Sequence, residues 1–289
     1  MGNHFSKTTK NSYTCNSHVI FFSNKLITKN KMDFDEREHL GHILMREVFE
    51  NNFSSHIHDI ISNRDTKILD IGCGSGFWLT EMAADFPKPS YVGIDMLPVF
   101  PTSTVPSNIT FQQHNLLNGL PFEDNTFDFI HMQSLFCDFT ELQWETIVYK
   151  ELARILKPGG WMEICDPEFE FCNGGPTANR ISSAVCTYLR SRNVDPLIVQ
   201  RHRSLIESIP SFSTSTVYHE KRHFPLGSYA NKLGILGGYH ISKSCRDILK
   251  GPIGKIVKLD VDINDELARE FDSHKTYFYV HRFYVQKKK

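Results

Sequence analysis

From Lys67 to Cys165, short apolar runs alternate with longer stretches that carry apolar residues on one helical stripe. Lys67–Ile71, Ser90–Ile94, Ile109–His114, Phe127–Met132 and Trp161–Cys165 are the short runs, with the length and β-former content of buried strands. Between the first two lies a predicted helix, Phe77–Phe86, with Trp78, Leu79, Met82, Ala83 and Phe86 on one stripe and Pro87 as its stop. Glu141–Leu156 is a second, with Ile147, Val148, Leu152 and Ile155 inward, and Lys157–Gly160 (KPGG) is expected to end it and turn the chain.

Strand and helix in alternation imply a parallel sheet covered on both faces. Before it, Leu40, Ile43, Leu44, Val48 and Phe49 give helical spacing from Asp33 onward, and Ser55–Ser62 reads as a further helix. After Asp166 the pattern loosens. Helices are predicted at Asn179–Arg192, at Tyr229–Leu249 with an interruption at Gly234, Gly237 and Gly238, and at Asp265–Lys275 with Asn264 as N-cap. Strands are predicted at Thr216–Phe224 and Tyr277–Val285. The sum is an α/β fold: a doubly wound, mostly parallel seven-stranded sheet with helices on both faces. Residues 1–31, rich in Asn, Ser, Thr and Lys, read as a disordered tail. Residues 32–65 form a helical cap, 66–166 a ligand-binding core, and 167–289 a substrate-facing segment with the final strands.

Composition narrows the class. The 289 residues are 40% hydrophobic and 22% charged with a net charge of −1, so no basic field recruits nucleic acid. Seven cysteines, an odd number without a C-x-x-C pair, argue against a disulfide scaffold or a structural zinc site and for a reducing, cytoplasmic setting. His56 and His58, two apart, fall on different faces of a helix and do not make a metal site. No run reaches the roughly 18 apolar residues of a membrane span.

The candidate chemistry sits after the first strand, where Gly72, Gly74 and Gly76 follow Asp70 in KILDIGCGSGFW. Glycines at a strand's carboxyl end let a ligand approach bare backbone. A nucleoside-triphosphate loop needs G-x-x-x-x-G-K-[ST], which is absent. A dinucleotide loop needs G-x-G-x-x-G, but Phe77 and Leu79 occupy the third glycine position in the two registers. S-adenosyl-L-methionine has no phosphate. Asp70 suits its ammonium, and Asp95, 19 residues past Gly76, suits its ribose hydroxyls.

Four segments in order carry a resemblance: ILDIGCGSG, YVGIDM, NLLNGLPFEDNTFDFIHMQSL and ELARILKPGGWMEI. The chain is similar to the class I, Rossmann-like methyltransferases that use S-adenosyl-L-methionine, and to a branch common in fungal genomes that includes regulators of secondary metabolism. The resemblance covers residues 33–165 strongly and the rest weakly. It implies that Asp70, Gly72, Gly74, Ser75 and Gly76 hold the methionine end and that Asp95 holds the ribose. Met96 would lie over the adenine, Asn115 and Leu116 at its edge, and Gln133 near the sulfonium. Asn115 departs from the commoner Asp, and its carbonyl can accept from the adenine amino group.

Simpler roles stand beside these. Asp70 can be a strand-end cap. Trp78 falls on the apolar stripe of its helix, and His131 alternates with Phe127 and Phe129 as a buried, satisfied histidine would. His42 either covers the cofactor or merely packs. Tyr188, Phe212, Phe224, Tyr229 and Tyr239 fit a substrate pocket and core packing equally. His131, Asp166 and Glu168 lie near strand ends, and no spacing selects a catalytic base among them. The methyl acceptor, small molecule or protein, is not named by the sequence. The alternative function is a non-catalytic regulator that keeps the fold. Finally, Gly2 and Ser6 fit M-G-x-x-x-[ST], the N-myristoylation pattern, with Lys7, Lys10 and Cys15 nearby. That implies weak, partial membrane association.

Overall fold

The computed structural model describes residues 31–212, 217–257 and 263–289. Residues 1–30 of the predicted tail, with its Gly2 signal and Cys15, lie outside them, and its last residue, Lys31, opens the first helix. The described chain runs α1 (Lys31–Phe49), α2 (His58–Ile61), β1 (Lys67–Ile71), α3 (Phe77–Asp85), β2 (Ser90–Asp95), β3 (Ile109–Gln113) and β4 (Phe127–Gln133). It continues with α4 (Glu141–Gln143), α5 (Tyr149–Ile155), β5 (Leu156–Pro167), α6 (Pro176–Arg190), α7 (His202–Glu207), β6 (Tyr218–Pro225), α8 (Asn231–Leu249), α9 (Pro252–Val257), α10 (Asn264–His274) and β7 (Tyr277–Gln286).

The strands form one seven-stranded sheet in the order β3-β2-β1-β4-β5-β7-β6. β1 to β5 pair in parallel, and β7 is antiparallel to both neighbours. Order reverses beside β1, so β1 and β4 flank the crevice where such sheets bind ligands. Register explains the two cores. Ile68, Phe129 and Trp161 stand side by side and meet Ile57, Trp78 and Met82 on one face. Leu69, Ile130 and Met162 stand on the other and meet Trp144, Leu152 and Ile181. With both faces buried, these strands read as unbroken apolar runs.

Four elements depart from expectation. KPGG is no turn: β5 already starts at Leu156, and the ladder jumps from Phe127 opposite Leu156 to Phe129 opposite Trp161. Gly159, at φ +79°, and Gly160, whose Cβ would stand 2.9 Å from the Asp128 carbonyl oxygen, make this a bulge inside the strand. The predicted helix 141–156 contains a π turn at Trp144–Val148 between α4 and α5. The three glycines do not interrupt α8. A Cβ on Gly234 would lie 2.0 Å from the Gly227 carbonyl oxygen and one on Gly237 2.6 Å from that of Pro225, so their bareness lets the helix lie against the end of β6. Asn264 does not cap α10: Ile263 holds the N-cap position and no side chain caps it.

Candidate functional site

The β1–α3 loop is shaped by its glycines. Gly72, Gly74 and Gly76 have φ of +70°, +50° and +75°, where a side chain is strained. The Gly72 and Cys73 amides donate to the Ile94 carbonyl at 2.8 and 3.1 Å, binding the loop to β2. Asp95 completes the junction. Its Oδ2 accepts from Gly74 N–H at 2.9 Å and its Oδ1 from Leu97 N–H at 2.8 Å. Burial raises the Asp95 pKa, and these two amides oppose the rise. Each oxygen keeps a lone pair for a ligand hydroxyl.

Asp70 is a partner as well as a strand end. Its Oδ1 faces His131 Nδ1 at 2.8 Å, directly across the β1–β4 pair. His131 stacks on Trp78 with centroids 4.0 Å apart and planes 3° from parallel. Trp78 Nε1 donates to the Asn52 carbonyl at 2.9 Å. Trp78 is therefore both core and cavity wall. His131 is buried, but only half satisfied: its Nε2 has no hydrogen-bond partner.

A cavity of about 410 Å³ opens over this loop and continues to the ends of β4 and β5, within the range of small-molecule sites. Nine of the ten candidate residues line it: Asp70, Gly72, Gly74, Ser75, Asp95, Met96, Asn115, Leu116 and Gln133. Gly76 is not among them. Its Cβ would meet the Phe111 ring at 2.5 Å, so this glycine serves helix–sheet packing. Asn115 Oδ1 already accepts Leu117 N–H at 3.0 Å, capping the short 3₁₀ turn Leu116–Asn118. Phe224 lines the cavity; Tyr188, Phe212, Tyr229 and Tyr239 do not. Asp166 is fully buried, accepting from the Leu135 and Phe136 amides (2.8 and 3.2 Å) with His202 Nε2 at 3.1 Å, and holds the loop after β4. Glu168 reaches the cavity while engaging Gln200, Lys221 and His281.

The contribution of α1 was not foreseen beyond His42. Ser75 Oγ donates to Asp35 Oδ1 at 2.6 Å, tying the helix to the loop. Glu38 lies over Gly74, with Oε2 2.9 Å from where a Cβ would be. Glu38 is half-buried, and burial lifts its pKa to about 7 against the opposing pull of Arg37, with Asp95 and Asp35 adding to the rise. Asp138, in the loop after β4, is likewise raised to about 7 by burial and by Asp95 and Asp166. His42 pairs with Glu81, yet burial first, and then His131 and Arg46, lower its pKa to about 4. A signal existed: Asp35, Glu38 and His42 recur at i, i+3, i+7, a polar stripe facing inward.

A family described as "Methyltransferase domain" matches residues 68–160. Methyltransferase str3 of Strobilurus tenacellus is 31% identical over 164 residues, 55% of this chain and 57% of that protein. The secondary metabolism regulator laeA of Coprinopsis cinerea is 30% identical over 150 residues, 50% of this chain and 36% of that one. The chain thus spans less than two thirds of the length of these relatives. A solved Haemonchus contortus phosphoethanolamine N-methyltransferase 2 shares 16% identity at a TM-score of 0.47, over 87% of this chain and 57% of that one.

Strand order, glycine loop and family match together define a class I, Rossmann-like methyltransferase fold. Residues 68–160 carry the methyltransferase domain of that class, whose cofactor is S-adenosyl-L-methionine, and the chain is similar to fungal methyltransferases and to the laeA regulators. The residues present fit that cofactor. Side chains at Gly72 and Gly74 would fill the cradle, coming within 2.7 Å of Leu135 and 2.9 Å of Glu38. The acidic lining suits a sulfonium, and the loop carries no lysine for a phosphate.

Proposed function

We propose that this chain transfers the methyl group of S-adenosyl-L-methionine to an acceptor held in the same cavity. The observation that carries this reading is continuity: one cavity joins the glycine loop and Asp95 to the ends of β4 and β5. A donor lying on the loop and an acceptor beyond it would share one water-poor space, as in-line displacement requires.

When bound, the cofactor supplies an electrophilic methyl on a sulfonium. The protein's part is placement. Asp95 would accept the ribose hydroxyls while holding the Gly74 and Leu97 amides. Asp70, fixed by His131, would present negative charge to the ammonium end. Asn115 and Leu116 would meet the adenine edge, and Glu38 would close the space from α1. Asp138 Oδ is available to hold a proton from the acceptor, since its carboxyl lines the cavity and titrates near neutrality.

The second reading is a regulator that binds the cofactor without turnover, favoured by the laeA relatives. Calorimetry with S-adenosyl-L-methionine and with NAD tests the shared part: a heat only with the former is expected, and a response only to NAD would overturn both readings. Adding a small-metabolite extract then separates them. S-adenosylhomocysteine formed above the acceptor-free control supports transfer, and its absence supports the regulator.

A further inference from the structure

We propose that the acceptor is a small aromatic molecule without an anionic group. This rests on the methyltransferase reading and adds the chemistry of the acceptor side, beyond the β4 and β5 ends.

That half of the cavity has aromatic walls. Phe224 and Phe278 stack with centroids 4.5 Å apart, Phe171 meets Phe278 at 6.4 Å, and Phe169 stacks on Phe136 at 5.8 Å. These are rigid, contiguous apolar surfaces, and a planar ring buries more area against them than a flexible chain does at lower entropic cost.

Charge selects further. Six carboxylates line the cavity: Glu38, Asp70, Asp95, Asp138, Glu168 and Glu170. Among the described lining residues Arg37 is the only lysine or arginine, and its Nη1 is bound to Asp247 Oδ2 at 2.7 Å. Of the four lining histidines, His42 and His240 are pushed down to about 4 by burial first, so they are neutral at pH 7, while His131 is engaged by Asp70 and His114 by the Gly119 carbonyl. A carboxylate or phosphate on the acceptor would enter a field of six carboxylates in which Arg37 already serves Asp247 and His131 serves Asp70, a disfavoured burial. An uncharged or cationic acceptor meets no such barrier. The side chain of Asp138, which has no hydrogen-bond partner among the described residues, can accept from a hydroxyl or amine.

The roof argues for a small molecule. α1 is fastened across the cavity to α8. Besides Arg37–Asp247, Lys243 Nζ reaches Asp33 and Glu36 at 4.0 and 3.7 Å, and the backbone of Gly41 lies against the His240 ring, 3.0 Å from an added Cβ. A folded protein would have to strip this helix away to present a side chain.

The test uses protein saturated with S-adenosylhomocysteine, whose own binding is first measured by calorimetry. 1-Naphthol, 1-naphthylamine and 1-naphthoate, alike in ring size, are then titrated by their fluorescence at pH 7.5. The expected result is that naphthol and naphthylamine bind at least about tenfold tighter than naphthoate. Asp138→Asn should narrow that gap. Ser244→Trp, at a lining position whose hydroxyl only bonds back to the His240 carbonyl, should abolish naphthyl binding and leave the S-adenosylhomocysteine affinity unchanged. Naphthoate binding as tightly as naphthol would overturn the proposal. So would a protein that binds S-adenosylhomocysteine and none of the three probes, which would point to a protein acceptor. Failure to bind S-adenosylhomocysteine at all would remove the methyltransferase reading itself.

Discussion

Asp70 and His131 form a buried hydrogen bond across adjacent parallel strands, Oδ1 to Nδ1 at 2.8 Å, with both side chains no more than 5% exposed. The pair is the floor of the ligand cavity and cannot relax into water. Asp70→Ala would leave the imidazole without a partner on either nitrogen. The expected loss is about 1–3 kcal/mol of folding stability, measured by urea unfolding. Asp70→Asn keeps an acceptor and should lose clearly less. Equal losses would mean that the hydrogen bond contributes nothing.

The loop glycines should separate into two classes. Gly76→Ala places a Cβ 2.5 Å from the Phe111 ring at φ +75° and should lower stability by about 1–3 kcal/mol. Gly74→Ala meets the flexible Glu38 carboxylate instead. Its main expected effect is weaker S-adenosyl-L-methionine binding, because the cradle is filled. Thermal melts and calorimetry on the two variants should therefore rank them in opposite orders.

Asn115 carries two duties that substitution can divide. Asn115→Asp keeps the acceptor for Leu117 N–H, so the 3₁₀ turn and cofactor affinity should be preserved. Asn115→Leu removes the cap, at a cost of about 1 kcal/mol, and lowers affinity too. Indistinguishable affinities for all three proteins would place this side chain away from the adenine.

The raised carboxyls give a pH signature. Glu38 and Asp138 titrate near 7 in the folded chain but from 4.5 and 3.8 when unfolded. The folded state then binds more protons between these values, so stability falls as pH rises through about 4 to 7 and levels above that. A sulfonium prefers the ionised carboxylates, whereas the neutral thioether of S-adenosylhomocysteine is indifferent. The ratio of the two dissociation constants should shift about 3- to 10-fold in favour of S-adenosyl-L-methionine from pH 6 to pH 8. A constant ratio would place both carboxyls outside the field of the sulfonium.

The strands from β1 to β5 were legible because burial on both faces left unbroken apolar runs, and Asp95 because it closes such a run. What the sequence hid depends on contacts distant along the chain. Gly234 and Gly237 look like helix breakers until Gly227 and Pro225 are seen to press against them. Gly76 looks like its two neighbours until Phe111 is placed over it. Glu38 and Asp35 belong to a helix whose docking face no local period specifies, so from this helix only His42 was weighed as a cover, with mere packing left open beside it. Asp138 gave no periodic signal, since it lies in a loop shaped by the Asp166 carboxylate.

The place of β7 has a consequence for how the chain assembles. Residues 277–286 are synthesised after the rest of the sheet, yet they sit inside it, between β5 and β6. Until they arrive, β5 is a raw edge with Met162 and Ile164 next to unpaired backbone, and β6 has no strand to join. The nascent chain must therefore carry an adhesive, unfinished sheet from the synthesis of β5 until that of β7. Shortening the chain by these residues would not trim a border; it would cut the sheet in two.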